Sequence, residues 1–250
     1  MLEIITGSQI GKKQTTMEKV WRFRHQRFVE ELGWEALRRP DEREQDQFDT
    51  RSTIHLVLME RSNVVGYSRL LPTTKPHLLS HVYPELLGGK CYPKGRHVFE
   101  WGRCATDARV PRIGAVATAD ILMTAVLEFL VHVRVETVII QTNPMLVEMI
   151  RKRGYPLQVL CEPMIYCGEM LMAIAAKPSP QLLELHRKTH GIRQSLLSMP
   201  SAEQPKHPFT NDVPLRRDAE SGVALKISDG CVSTGCVEKG IRPEGAFVTF

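Results

Sequence analysis

The chain has 250 residues, of which 42% are hydrophobic and 24% charged, and its formal net charge is +5. That make-up suits a globular protein of one large domain, or of one domain and a tail. The charge is too small to call for nucleic acid, no window nears the roughly 18 unbroken apolar residues of a membrane helix, and Met1–Gln14 lacks the basic-then-apolar order of a secretory leader, so a cytoplasmic protein without membrane association is expected.

Taken in chain order, residues 16–32 carry a helical pattern and 38–53 form a polar, charged loop. Residues 54–60 and 64–71 read as strands joined by a turn at Ser62-Asn63, 72–95 as irregular chain, and 97–106 as a third strand. Residues 115–133 give a long apolar helix, 137–142 a buried strand, 144–153 a helix and 157–160 a short strand. Residues 166–176 read as another strand and 180–197 as a last helix. Strands alternating with helices predict an α/β fold, an α+β sandwich with part of its sheet parallel. Beyond residue 197 the composition turns to Pro, Ser, Gly and scattered charge, which predicts a domain over 1–197 and a loosely packed or disordered tail over 198–250. The cysteines at 91, 104, 161, 167, 231 and 236 include no Cys-x-x-Cys pair, so free thiols are expected, and neither they nor the histidines suggest a metal site.

The first helix places Met17, Trp21, Phe28 and Leu32 on one stripe, and Arg24 falls on that stripe. A guanidinium stays charged, so burying it demands carboxylate partners; snorkelling at the helix edge is the alternative. The loop that follows offers Glu42, Glu44, Asp46 and Asp49, with Phe48 and Trp34 as apolar anchors. Arg69, Glu100 and Arg103 sit inside otherwise apolar strands, where unpaired charge is costly. Arg24, Arg69 and Arg103 against Asp46, Asp49 and Glu100 therefore make either a structural ion-pair network or a polar receptacle for a zwitterionic substrate.

These residues, in this order, resemble the LuxI-type autoinducer synthase family. The pattern runs Arg24-x3-Phe28-x5-Trp34, Asp46-x2-Asp49, Arg69-Leu-Leu-Pro-Thr73, Val82-Tyr-Pro-Glu-Leu-Leu87 and Glu100-x2-Arg103, over roughly residues 1–195. Tyr83, where the family more often has Phe, and the long tail depart from it. The resemblance implies a GNAT-like acyltransferase fold, a mixed twisted sheet flanked by helices with a V-shaped splay between two strands. It implies an acyl-homoserine-lactone synthase that joins an acyl thioester to S-adenosylmethionine, a substrate and not a strict cofactor, and releases methylthioadenosine. A GNAT-like acyltransferase acting on another amine, or a non-catalytic relative, is the alternative.

Carried onto this chain, the resemblance makes Glu100 the catalytic base. Arg24, Phe28 and Trp34 become S-adenosylmethionine contacts, and Asp46, Asp49, Arg69 and Arg103 the scaffold of the site. The acyl chain is expected against Trp101, Met123, Leu127, Ile140, Thr142, Met145 and Met149. The stretch Arg109–Gly114 would meet donor phosphates at the start of the long helix. The donor is acyl-CoA or acyl-acyl carrier protein. Glu100-Trp-Gly-Arg103 is closer in wording to the acyl-CoA-using subset, and Arg151-Lys152-Arg153 suits either donor. A monomer or weak dimer is expected.

Overall fold

The computed structural model describes residues 2–166 and 168–197. The elements are β1 (Leu2–Thr6), α1 (Gln14–Arg24), β2 (Ile54–Glu60), β3 (Asn63–Pro72), α2 (Leu78–His81) and β4 (Val98–Thr106). They continue with β5 (Arg112–Ile113), β6 (Val116–Ala117), α3 (Thr118–His132), β7 (Thr137–Thr142), α4 (Pro144–Lys152), β8 (Leu157–Val159), β9 (Met164–Tyr166), β10 (Glu169–Ala176) and α5 (Pro180–His190). The sheet runs β1-β2-β3-β4-β7-β10-β8, with β9 added to β10, so the expected α/β sandwich is what forms. Its first four strands are antiparallel neighbours, β4 and β7 are parallel, and β10 is antiparallel to β7, β8 and β9.

Period-two alternation assigns each face of the sheet to its own core. Leu56, Leu58, Val65, Leu70, Trp101 and Cys104 join α3 in the larger one. Val57, Tyr67 and Ala105 join Met17, Val20, Trp21, Phe23 and Phe28 in the smaller one beneath α1. α3 is buried along nearly its whole length, between the sheet and α5, which explains its all-round apolar sequence.

Several element boundaries differ from the sequence reading. The first helix continues from Arg24 as a π-helix over His25–Glu31, closed by an i,i+5 bond from Leu32 N to the Arg27 carbonyl. That wider turn rotates the stripe, and Leu32, expected on it, is 45% exposed. The long helix begins at Thr118, because Gly114 (φ +59°) turns the chain into the β5–β6 hairpin first. The strand expected over 166–176 is a β9–β10 hairpin, and the last helix stops at His190, where left-handed Gly191 caps it. β1, a short strand on the sheet edge, was not anticipated. The tail expected over 198–250 lies outside the described residues.

Candidate active site

The loop between α1 and β2 is fixed by its own backbone. Glu44 N donates to the Trp21 carbonyl at 3.1 Å, Phe48 N donates to Asp46 Oδ1 at 2.9 Å, and Phe48 is buried. Three carboxylates thus point under the sheet at three guanidiniums. Arg24, with no exposed surface, donates from Nε to Glu44 Oε2 at 2.5 Å and from Nη1 to both oxygens of Asp49 at 2.9 Å. Arg69, 1% exposed, grips Asp46 with two bonds of 2.7 and 2.9 Å and reaches Asp49 at 3.0 Å. Arg103 spans Glu44 at 3.4 Å and Asp46 at 3.2 Å.

The charges balance as Arg24, Arg69 and Arg103 against Glu44, Asp46 and Asp49. The sequence reading put Glu100 in that balance and passed over Glu44. The correction has a physical cause: Glu44 follows Trp21 in space through its backbone, which loop composition does not encode. Glu44 was legible only as one acid in a run. Burial alone would raise its carboxyl, but Arg24 and Arg103 hold it down at about 2. Burial likewise opposes Asp49, which Arg24 and Arg69 keep well below the usual carboxylate range. Tyr67 closes the cluster from β3, its ring 5.5 Å from the Arg24 guanidinium and its hydroxyl 2.7 Å from His55 Nδ1. Burial among these cations pushes the His55 imidazole down to about 3.

Phe28 and Trp34 stack with ring centroids 5.1 Å apart. Arg103 lies over both, 5.4 and 5.1 Å from their centroids. Trp34 is 36% exposed, so this wall of the network meets solvent while Arg24 does not. Arg24, expected as a substrate contact, is sealed behind Glu44 and Asp49 and has no exposed surface.

Glu100 stands apart from Arg103. It lies opposite Leu71 of β3 and Ile139 of β7, at the last residue where β4 and β7 pair. The parallel ladder covers only Val98–Glu100 and Thr137–Ile139; past it the two strands part, as the expected splay requires. The Glu100 carboxylate accepts from Leu78 N at 2.9 Å and Leu79 N at 2.8 Å, at the start of α2. Burial raises its pKa above the ordinary range, while those amides, Arg69 and Gln141 limit the rise. The hydrogen bonds described for this carboxylate go to amides, and Arg103 is bonded to Glu44 and Asp46 instead.

The apolar residues expected along an acyl tunnel divide. Trp101, Met123, Leu127 and Ile140 lie in the larger core, with Met149 packed against it. Trp101 donates to Ser68 Oγ at 2.6 Å. Thr142 is buried, two residues past Ile140 on the parted stretch of β7. Met145 is 74% exposed at the head of α4 and lines no enclosed tunnel, because its helix turns it outward after the Asn143 cap. Arg109 pairs with Asp107, Arg151 with Glu148, and Arg153 with Asp120. No helix among the described residues is long and apolar enough to cross a membrane.

The arrangement is therefore a sheet opened beside a buried carboxylate, with a neutralised charge cluster on the same face. Comparison with known proteins agrees. Residues 8–179 match the autoinducer synthase family. The isovaleryl-homoserine lactone synthase of Bradyrhizobium diazoefficiens is 32% identical over 208 residues, covering 83% of this chain and 90% of that protein. The acyl-homoserine-lactone synthase of Acinetobacter nosocomialis is 34% identical over 179 residues, covering 69% and 97%. Among solved structures, the CoA-dependent acyl-homoserine lactone synthase BjaI, bound to SAM and isopentyl-CoA, superposes with a TM-score of 0.72 at 31% identity, covering 78% of this chain and 91% of that one. The matched span takes in the ion-pair network, Glu100 and both parted strands, and the chain belongs to the autoinducer synthase family, the acyltransferases that make acyl-homoserine lactones.

Proposed function

We propose that this chain condenses S-adenosylmethionine with an acyl-CoA, giving an acyl-homoserine lactone, methylthioadenosine and free CoA. The observation that carries the reading is the parting of β4 from β7 directly beyond Glu100, which leaves a slot for a thioester arm next to a buried carboxylate. The preference for CoA rests on the likeness to BjaI, whose solved complex holds isopentyl-CoA.

Two bonds form in sequence. The substrate amine attacks the thioester carbonyl and the carbon–sulfur bond breaks, releasing the thiol. An ammonium cannot attack, so Glu100 takes its proton through a water molecule; a carboxyl lifted by burial is a better base than an ordinary one. The substrate carboxylate then displaces methylthioadenosine from its own γ-carbon, a step that needs positioning more than acid or base. Arg103 is the network cation nearest solvent and holds that carboxylate, with Phe28 and Trp34 flanking the adenosine and sulfonium. Arg24, Arg69, Asp46 and Asp49, joined by Glu44, keep Arg103 in place. Trp101, Met123, Leu127, Ile140, Thr142 and Met149 form the wall against the acyl chain.

Incubation with S-adenosylmethionine and matched acyl-CoA and acyl-carrier-protein donors tests this, with methylthioadenosine as the readout. Turnover with acyl-CoA is expected. Turnover confined to carrier-protein donors would refute the donor assignment, and turnover with neither would refute the reaction.

A further inference from the structure

Glu100 is held by the first two amides of α2, a helix of four residues. One turn of helix does not sustain itself in water, so something outside it must fix those amides. The residue just ahead of them, His77, is 1% exposed. Its Nδ1 lies 2.7 Å from the Lys75 carbonyl oxygen. A carbonyl only accepts, so Nδ1 carries the proton and Nε2 is left as an acceptor. The Tyr92 hydroxyl fills it at 3.0 Å, and the two rings meet edge-on with centroids 5.8 Å apart. His77 N donates to Ser80 Oγ at 3.2 Å, closing the turn on itself. Tyr92 belongs to the return limb of the β3–β4 connection, so this contact ties the two limbs together at the residue next to the amides that hold Glu100.

We propose that His77, latched by Tyr92, is a positioning residue that holds the Leu78 and Leu79 amides on the Glu100 carboxylate. The proposal rests on the reading of Glu100 as general base. Amides donated to a carboxylate favour its ionised form. Loosening them leaves burial less opposed, so Glu100 ionises at higher pH. The other groups facing Glu100 are Arg69 from β3 and Gln141 from β7, which the latch does not touch. Lys94 and His81 face His77 and, with burial, hold it in the neutral form the latch needs.

Tyr92→Phe removes one hydroxyl and keeps the ring. His77→Asn keeps a donor for Lys75 and loses the acceptor for Tyr92. Each should move the acid limb of the kcat/KM profile to higher pH by about half a unit, a roughly threefold loss below the limb that vanishes above it. Amide exchange at Leu78 and Leu79 should quicken in both. The double variant should shift the limb no further than His77→Asn alone. His77→Gln, whose amide can meet Tyr92, should restore it. A limb that stays in place while rates fall at every pH would overturn the proposal, and so would unchanged exchange at Leu78 and Leu79 in Tyr92→Phe. Glu100→Gln tells the two claims apart: an acid limb that survives it defeats the base reading, whereas the exchange rates judge the latch whatever Glu100 does.

Discussion

Glu44→Gln is the sharpest perturbation of the charge cluster, because it removes one negative charge and almost no volume. Glu44 is fully buried between Arg24 and Arg103. Its carboxyl is held at about 2 against an ordinary 4.5. At about 1.4 kcal/mol per pKa unit, that depression corresponds to about 3 kcal/mol of stability at neutral pH. Breaking one partner of a buried ion pair costs about 3–5 kcal/mol in other proteins, so two routes agree in size. Because the folded pKa is depressed, the stabilisation is present above about 4.5 and fades as pH falls towards about 2. Urea unfolding at pH 7 should show Glu44→Gln weaker by about 3 kcal/mol with an unchanged m-value, and Tm lower by roughly 6–12 °C. The gap between variant and parent should begin to close once the pH drops below about 4.5, where the unfolded parent starts to bind a proton that the folded carboxyl does not take up until about 2. A deficit under about 1 kcal/mol at pH 7, or one indifferent to acidification, would refute the account of a neutralised cluster.

Other outcomes follow from single contacts. His55, pushed by burial to about 3, binds its proton more readily unfolded than folded, so stability should fall as pH drops from about 6.5. His55→Asn should flatten that slope by about 2 kcal/mol between pH 6.5 and 5, and an unaltered slope in denaturant titrations would contradict it. A Cβ on Gly7 would stand 1.8 Å from the Thr50 carbonyl oxygen, one residue from Asp49. Gly7→Ala should therefore destabilise by about 1–3 kcal/mol and lower turnover, as unfolding and methylthioadenosine assays can show. Trp101→Phe strips the donor from Ser68 and should cost about 1–3 kcal/mol. Across an acyl-CoA panel its optimum should move towards bulkier chains; an unchanged optimum would remove Trp101 from the acyl wall.

Elements packed on one face announced themselves through periodicity. Thr137–Thr142 emerged from its central Val-Ile-Ile run and α3 because most residues of its body are apolar, and the α/β order followed. What periodicity could not show was where the chain departs from regular geometry. The π-helical turn after Arg24 sends Leu32 outward while keeping Phe28 inside, and hydrophobicity alone gives both residues the same rank. Met145 failed for a related reason: an apolar side chain at a helix head is oriented by the cap, not by its affinity for the core. The cage on Glu100 is made of backbone amides, which every residue type but proline supplies, so no side-chain pattern could mark it. The arginines of the cluster were legible because a charge on an apolar stripe must find a partner; which acid answers depends on loop geometry, and Glu44 was lost there.

The spacing of Glu100 and Arg103 holds more information than its two charges. Three residues apart on a regular strand, they would face opposite sides of the sheet, and Arg103 would enter the apolar core beside Trp101. Both nevertheless reach the α1 face. The β3–β4 register explains how: Tyr67 pairs with Ala105 but Arg69 with Gly102, so β4 carries one residue more than β3 between these points. Arg103 takes up the excess with φ +52°, a conformation that costs a side chain about 1–3 kcal/mol. Glu44 and Asp46, with the Phe28 and Trp34 rings, offset that strain by binding its guanidinium. Cys104 then returns to the α3 core and Ala105 to the α1 core, so alternation resumes at once. An odd separation between two strand charges that must share a face thus requires an inserted residue. Glu100-Trp-Gly-Arg103 encodes a bulge, and deleting Gly102 would close it: the arginine would then stand two residues from Glu100, on the same face but directly opposite Arg69, where like charges meet, so turnover should fall.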